Sequence, residues 1–148
     1  MSVLTGGDRA LLDEGRRATL ATVDESARPR LVPVCYVLDP DDDRLWIPLD
    51  EKPKIVDDVR DLARVRDLIA RPAVSLLVDR WSEDWEQLAW LRLHGSARLI
   101  EPADVPPSVI AGLRQRYPQY RQHALEGRPA IRVDLEAAQR WRAEPGQA

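Results

Sequence analysis

The sequence predicts an α+β domain in which six mostly antiparallel strands curl into a barrel with helices inserted between them. Three observations carry that expectation. Between residues 18 and 49, three short β-rich segments follow one another across polar turns, the pattern of a meander. A helical repeat begins only after the third of them and runs to about Ala70. Residues 88–101 then alternate apolar and polar side chains over the length of a long strand.

Taken in order, Gly6 to Arg17 reads as a short helix with Leu11 and Leu12 on its apolar side and a basic last turn. Ala18–Val23 is the first strand, and Asp24 to Pro29 a polar turn. Arg30–Leu38 is the second strand. It is apolar on both faces, as expected inside a barrel or between a core and a ligand. Asp39-Pro-Asp-Asp-Asp43 is a strong turn signal before the third strand, Arg44–Leu49. Pro33 and Pro48 cannot donate to a ladder, so each marks an edge, a strand end or a place where the sheet opens.

Asp50-Glu-Lys-Pro-Lys54 leads into the helix, whose apolar side is Ile55, Val59, Leu62 and Ile69. Pro53 suits its first turn. Pro72–Asp79 is the fourth strand. A polar loop from Arg80 to Gln87 carries Trp81 and Trp85. The fifth strand, Leu88–Glu101, sets Ala89, Leu91, Leu93, Ala97 and Leu99 against Trp90, Arg92, His94, Ser96 and Arg98. Pro102 to Glu126 reads as helix and loop broken by prolines, Arg128–Leu135 as the sixth strand, and the remainder as a polar tail. No repeat or linker divides residues 1–148, which read as one domain.

Bulk properties narrow the function classes. A formal charge of −3 argues against a general nucleic-acid binder. No apolar run reaches the length of a membrane span, and the N-terminal segment is interrupted by charges, so no membrane partner and no secretory leader are expected. The single cysteine, Cys35, fits a reducing, cytoplasmic setting and reads as a small core residue. There is no G-x-G-x-x-G, Walker, G-x-S-x-G or H-E-x-x-H motif, and one Cys with two His gives no metal spacing. What remains is a cofactor enzyme of another architecture, or a binding protein.

Only two of the 22 basic residues are lysines, Lys52 and Lys54, and both lie at the start of the helix. Helix N-termini disfavour cations but suit anions, so a lysine pair there makes sense around a phosphate. The plainer reading has Asp50 and Glu51 neutralising them. Arg60 and Arg64 share a helix face and could help hold an anion, although nearby aspartates offer simpler pairings. His94 reads either as a satisfied interface histidine or as a ligand contact. Trp81 and Trp85 read as packing or as a wall for a planar ligand.

Ala18-Thr-Leu-Ala-Thr-Val23, Pro29-Arg-Leu-Val-Pro-Val34, Leu45-Trp-Ile-Pro-Leu49 with Lys52-Pro-Lys54, and Trp90-Leu-Arg-Leu-His-Gly-Ser-Ala97 together resemble the pyridoxamine-phosphate-oxidase-like, FMN-binding split β-barrels. Within these the sequence looks closest to the actinobacterial branch that uses coenzyme F420. The resemblance covers about Arg17 to Glu101. It implies a homodimer with cofactor sites between subunits. Val32, Pro33 and Val34 of strand two and Pro48 of strand three would flank the ring system, with Lys54 on the phosphate beside Lys52; Arg60, read from its helix position alone, is added as a candidate cofactor contact. The partner would contribute from the Trp81–Trp85 loop, Trp85 included, or from the Trp90–His94 strand. The implied activity is hydride transfer between the deazaflavin F420 and a small organic substrate. FMN chemistry on the same fold and non-catalytic cofactor binding are the alternatives. Two acids in Pro48-Leu-Asp-Glu51 and a C-terminal Trp141-Arg-Ala-Glu-Pro145 depart from true pyridoxamine-phosphate oxidases, so pyridoxal-phosphate synthesis is not implied.

Overall fold

The computed structural model describes residues 2–49 and 58–144. Among these residues the chain forms one antiparallel sheet of seven strands with three α-helices. The strands are β1 (Ala18–Val23), β2 (Pro29–Val34), β3 (Val37–Leu38), β4 (Arg44–Pro48), β5 (Ala73–Arg80), β6 (Ala89–Ile100) and β7 (Ala130–Arg142). The helices are α1 (Gly6–Glu14), α2 (Ala63–Ala70) and α3 (Pro107–Arg116).

The spatial order β2-β1-β5-β6-β7-β4-β3 requires the sheet to curl. In a flat sheet the two outer strands would stand roughly 29 Å apart. Yet Val34 of β2 and Val37 of β3 are separated only by Cys35 and Tyr36, a reach of about 11 Å at most. The two ends of the sheet must therefore meet, and β2–β3 is the seam of a barrel.

This seam is where the sequence expectation changes. One continuous second strand was expected, and the structure breaks it into two strands at opposite ends of the sheet, giving seven rather than six. Tyr117 makes the break possible. Its hydroxyl accepts the Tyr36 N–H at 3.1 Å and lies 3.2 Å from the Tyr36 carbonyl, serving backbone groups that leave the ladder there. The Tyr36 phenol is itself buried, which pushes its pKa up, and it donates to Leu12 O at 2.6 Å. Nor is β2 buried on both faces: Pro29, Leu31 and Pro33 are exposed, while Val32 and Val34 turn inward.

Inside the barrel, Leu20, Leu45, Ile47, Leu76, Leu91, Leu93, Ile131 and Val133 form the main core. α1 closes one mouth with Leu11 and Leu12, and α2 the other with Val65 and Leu68. α1 starts on a capping box. The Thr5 side chain accepts from Asp8 N–H, and the Asp8 carboxylate accepts from Thr5 N–H. The helix stops at Glu14, so the expected basic last turn is absent. The second predicted helix is shorter than expected. Residues 50–57 lie outside the described residues, Val59–Asp61 is a single 3-10 turn followed by an extended Leu62, and the α-helix begins only at Ala63. Ile69 is exposed rather than on its apolar side, and Arg60 and Arg64 do not share one helix.

A second cluster sits on the outside of the sheet. α3 and the turn after it bury Val109, Leu113, Tyr117, Tyr120 and Leu125 against Trp46 and Ala130. β4 is thereby buried on both faces, Leu45 and Ile47 inward and Trp46 outward. The expected polar tail is a correction too. β7 continues to Arg142 and pairs with β6 down to Ala89. Its polar residues face solvent while the β6 ladder holds the backbone.

Candidate functional site

The helical cover extends over only part of the outer face, the part made by β3, β4 and the start of β7. The other part, made by β2, β1, β5, β6 and the end of β7, carries no helix among the described residues, and the strand registers set its side chains in rows. One row runs Leu31, Ala21, Ser75, His94. A second runs Pro33, Thr19, Leu77, Arg92, Gln139, and a third Asp79, Trp90, Trp141. Leu31 is 67% exposed, Leu77 42% and Trp141 43%, with Trp81 68% exposed in the loop beside them. Large apolar side chains gathered on one solvent face mark an interaction or ligand surface.

Leu77, Trp81, Trp90, Arg92 and Trp141 line a groove of about 360 Å³. Arg92 lies over the Trp90 ring, 5.3 Å from its centroid. Its guanidinium donates to the neutral Gln139 Oε1, at 2.9 Å from Nε, rather than to a carboxylate. Arg80, also in the groove, is paired with Glu14 at 3.1 Å. The groove therefore joins flat aromatic walls to a guanidinium that has no bonded carboxylate among the described residues, with the Asp79 carboxylate elsewhere in the same lining, a setting for a planar ligand with polar edge atoms.

At the α2 end, a charged cleft of about 310 Å³ is lined by Asp24, Arg28, Arg30, Arg66, Asp67 and Arg71. Most of its charges are spoken for. Buried Asp67 accepts from Thr22 and Arg30, both at 2.8 Å. Backbone N–H groups, that of Arg28 first, hold Asp24 below its ordinary pKa. Arg71 donates to Val23 O at 2.9 Å.

The residues expected from sequence fall in different places. Val32 and Val34 turn into the core, and Pro33 is exposed on the second row. Pro48 is buried at the end of β4 opposite Ala130. Arg60 is ion-paired with Glu101 at 2.6 Å, just past the end of β6. Trp85 is 65% exposed just before β6 begins. Twelve residues of strand, roughly 40 Å, separate the two, so one chain does not bring Arg60 and Trp85 together. Lys52 and Lys54 lie outside the described residues. Sequence reasoning did not find the Ser75–His94 pair. The two residues are 19 positions apart, and only the β5–β6 register sets them side by side. Among the described residues no cluster of three or more His, Cys, Asp or Glu could hold a metal ion, and no helix is long and apolar enough to cross a membrane.

The profile of the family described as Pyridoxamine 5'-phosphate oxidase matches residues 5–142. No curated protein matches the sequence. Among solved structures, a conserved hypothetical protein from Mycobacterium tuberculosis is similar with a TM-score of 0.69 and 19% identity, over 95% of this chain and 86% of that one. The heme storage protein of Vibrio cholerae gives 0.64 and 18%, over 96% and 95%. A protein named F420 reductase gives 0.62 and 19%, over 92% and 98%. At these identities the likeness establishes the shared fold.

Proposed function

Because the chain belongs to the pyridoxamine 5'-phosphate oxidase family, its profile spanning residues 5–142, we propose that its bare sheet face binds coenzyme F420 within a cytoplasmic homodimer. There it works as an oxidoreductase, moving a hydride between the deazaflavin and a small organic substrate. The observation that carries this reading is the groove of Leu77, Trp81, Trp90 and Trp141 around Arg92. The residues fit such a cofactor. Apolar and aromatic surfaces suit a planar ring, and Arg92, Thr19 and His94 supply polar atoms beside them. The F420 reductase among the structural neighbours supports the choice of cofactor.

When bound, the deazaflavin would supply hydride chemistry at its ring, the hard step that the side chains themselves need not perform. The chain's own residues bind and orient it. Pro33 and Leu31 present the open edge strand, Arg92 faces ring or substrate oxygens, and Trp81 and Trp85 reach toward the second subunit. A second copy laid on this face would cover the exposed leucines and tryptophans and exclude water from the groove. It would also bring one chain's Trp85 toward the other's β2. Lys54, with Lys52 beside it, holds the cofactor phosphate, so Lys54→Ala weakens cofactor binding by about 1.5–3 kcal/mol, the scale of a charged hydrogen bond.

The test is a side-by-side titration of the purified protein with F420 and FMN, followed by ligand fluorescence. Preferential binding of F420 with turnover against an acceptor panel supports the reading. Preference for FMN moves it to a flavin enzyme on the same fold. Tight binding without turnover makes the protein a carrier, and binding of neither removes the function.

A further inference from the structure

The row Leu31, Ala21, Ser75, His94 crosses four strands of the bare face, about 14 Å in all, and His94 is its one titratable member. The His94 ring is half-buried, and its Nδ1 lies 2.7 Å from Ser75 Oγ. A serine hydroxyl has one proton to give. Among the described residues Ser75 Oγ has no other acceptor. The arrangement that uses this proton has Ser75 donating to Nδ1, which leaves the ring proton on Nε2. Nε2 has no protein partner among the described residues.

The backbone singles out the same spot. β6 and β7 slip register here: His94 stands opposite Ala137 and Gly95 opposite Leu135, with Glu136 bulged between. Bulges re-aim side chains and gather beside functional sites. Gly95 is required for it, because a Cβ there would lie 2.3 Å from Asp134 O. The register thus holds His94 at a defined height on the face. The charged side chains on its flanks are Arg92 and Arg98 of β6 and Glu136 of β7, while β5 offers the neutral Ser75.

We propose that His94 is a ligand-contacting residue of the bare face, donating its Nε2–H to a carbonyl or anionic oxygen of a planar ring ligand, with Ser75 as the positioning residue that fixes the tautomer. This rests on the reading that the face binds such a ligand.

The experiment is 15N NMR of the histidine-labelled full chain. The chain has two histidines, so a His123→Gln sample assigns His94. In the free protein the Nε2–H tautomer is expected, collapsing toward a mixture in Ser75→Ala. Saturation with F420, or with FMN if that is what binds, shifts His94 Nε2 and leaves His123 in place. His94→Gln weakens binding of the same probe roughly tenfold, the worth of one hydrogen bond. The opposite tautomer, a tautomer indifferent to Ser75→Ala, or an unmoved Nε2 at saturation overturns the proposal while the function stands. Binding of neither probe defeats the function itself, and the ligand contact with it, even if the Ser75–His94 pair behaves as expected.

Discussion

Trp46 and Trp141 both stand on the outer face of the same sheet, one on β4 and one on β7, yet the first is 2% exposed and the second 43%. The difference is made by α3. Val109 and Leu113 on that helix, with Tyr117 and Tyr120 following it, cover β4 and the start of β7. Among the described residues nothing covers Leu31, Leu77 and Trp141 in that way. Half of the outer face thus behaves as interior and contributes to stability. The other half leaves comparable apolar side chains exposed, gathered on one face rather than scattered. One surface therefore has two readings: the covered half explains why the barrel holds together, and the bare half is where the proposed ligand and second copy would sit.

The largest effect should come from the covered half. Trp46→Ala removes a buried aromatic and leaves a cavity, so the chain should lose about 3–5 kcal/mol in urea unfolding. A loss below about 1 kcal/mol would mean that α3 is not tightly seated. The next is electrostatic. The far edge of the bare half is pinned to α1, because Arg140 on β7 approaches Asp8 to 2.8 Å. Burial pushes the Asp8 carboxyl up, but the hydrogen bonds from Arg140 and Thr5 N–H outweigh it and leave the pKa below 3.8. A depressed folded pKa stabilises above the unfolded value and is lost as pH falls through the folded one. Asp8→Asn should therefore cost about 1–2 kcal/mol at neutral pH, discounted because Arg140 is half in solvent. The gap to the unsubstituted chain should be fully open above the ordinary carboxylate range and should close as pH falls through the lowered Asp8 pKa in acid titrations of unfolding. The smallest effect on stability belongs to the bare half. Leu77→Glu should shift chain stability by only about 0.5 kcal/mol, yet reduce the sedimenting mass from dimer to monomer. An unchanged mass would take the second copy off this face.

Much of the fold was legible because local signals agreed with it. β1 follows its β-rich run to the residue, and β6 its alternation nearly so. The β2–β3 break was not legible. It depends on Tyr117, 81 residues away from Tyr36, serving backbone groups at the seam. The end of β7 read as a tail because its exposed positions are polar, and only the pairing of Arg140 with Leu91 and Trp141 with Trp90 makes it a strand. The capping box at Thr5 and Asp8 has the spacing of a helix start and could have been read. Of the candidate site, the aromatic loop and the open edge at Pro33 were visible in the sequence. The rows that join Pro33 to Leu77 and Ser75 to His94 exist only once the registers are known.

The most direct test of the division is hydrogen–deuterium exchange with and without saturating F420. Slowed exchange confined to β2, the β5–β6 loop around Trp81 and Trp85, and the middle of β6, with α3 and β4 unchanged, is the expected result. Protection centred on α3 and β4 with the bare face unchanged would contradict it, and would put the ligand on the half of the sheet the chain already covers.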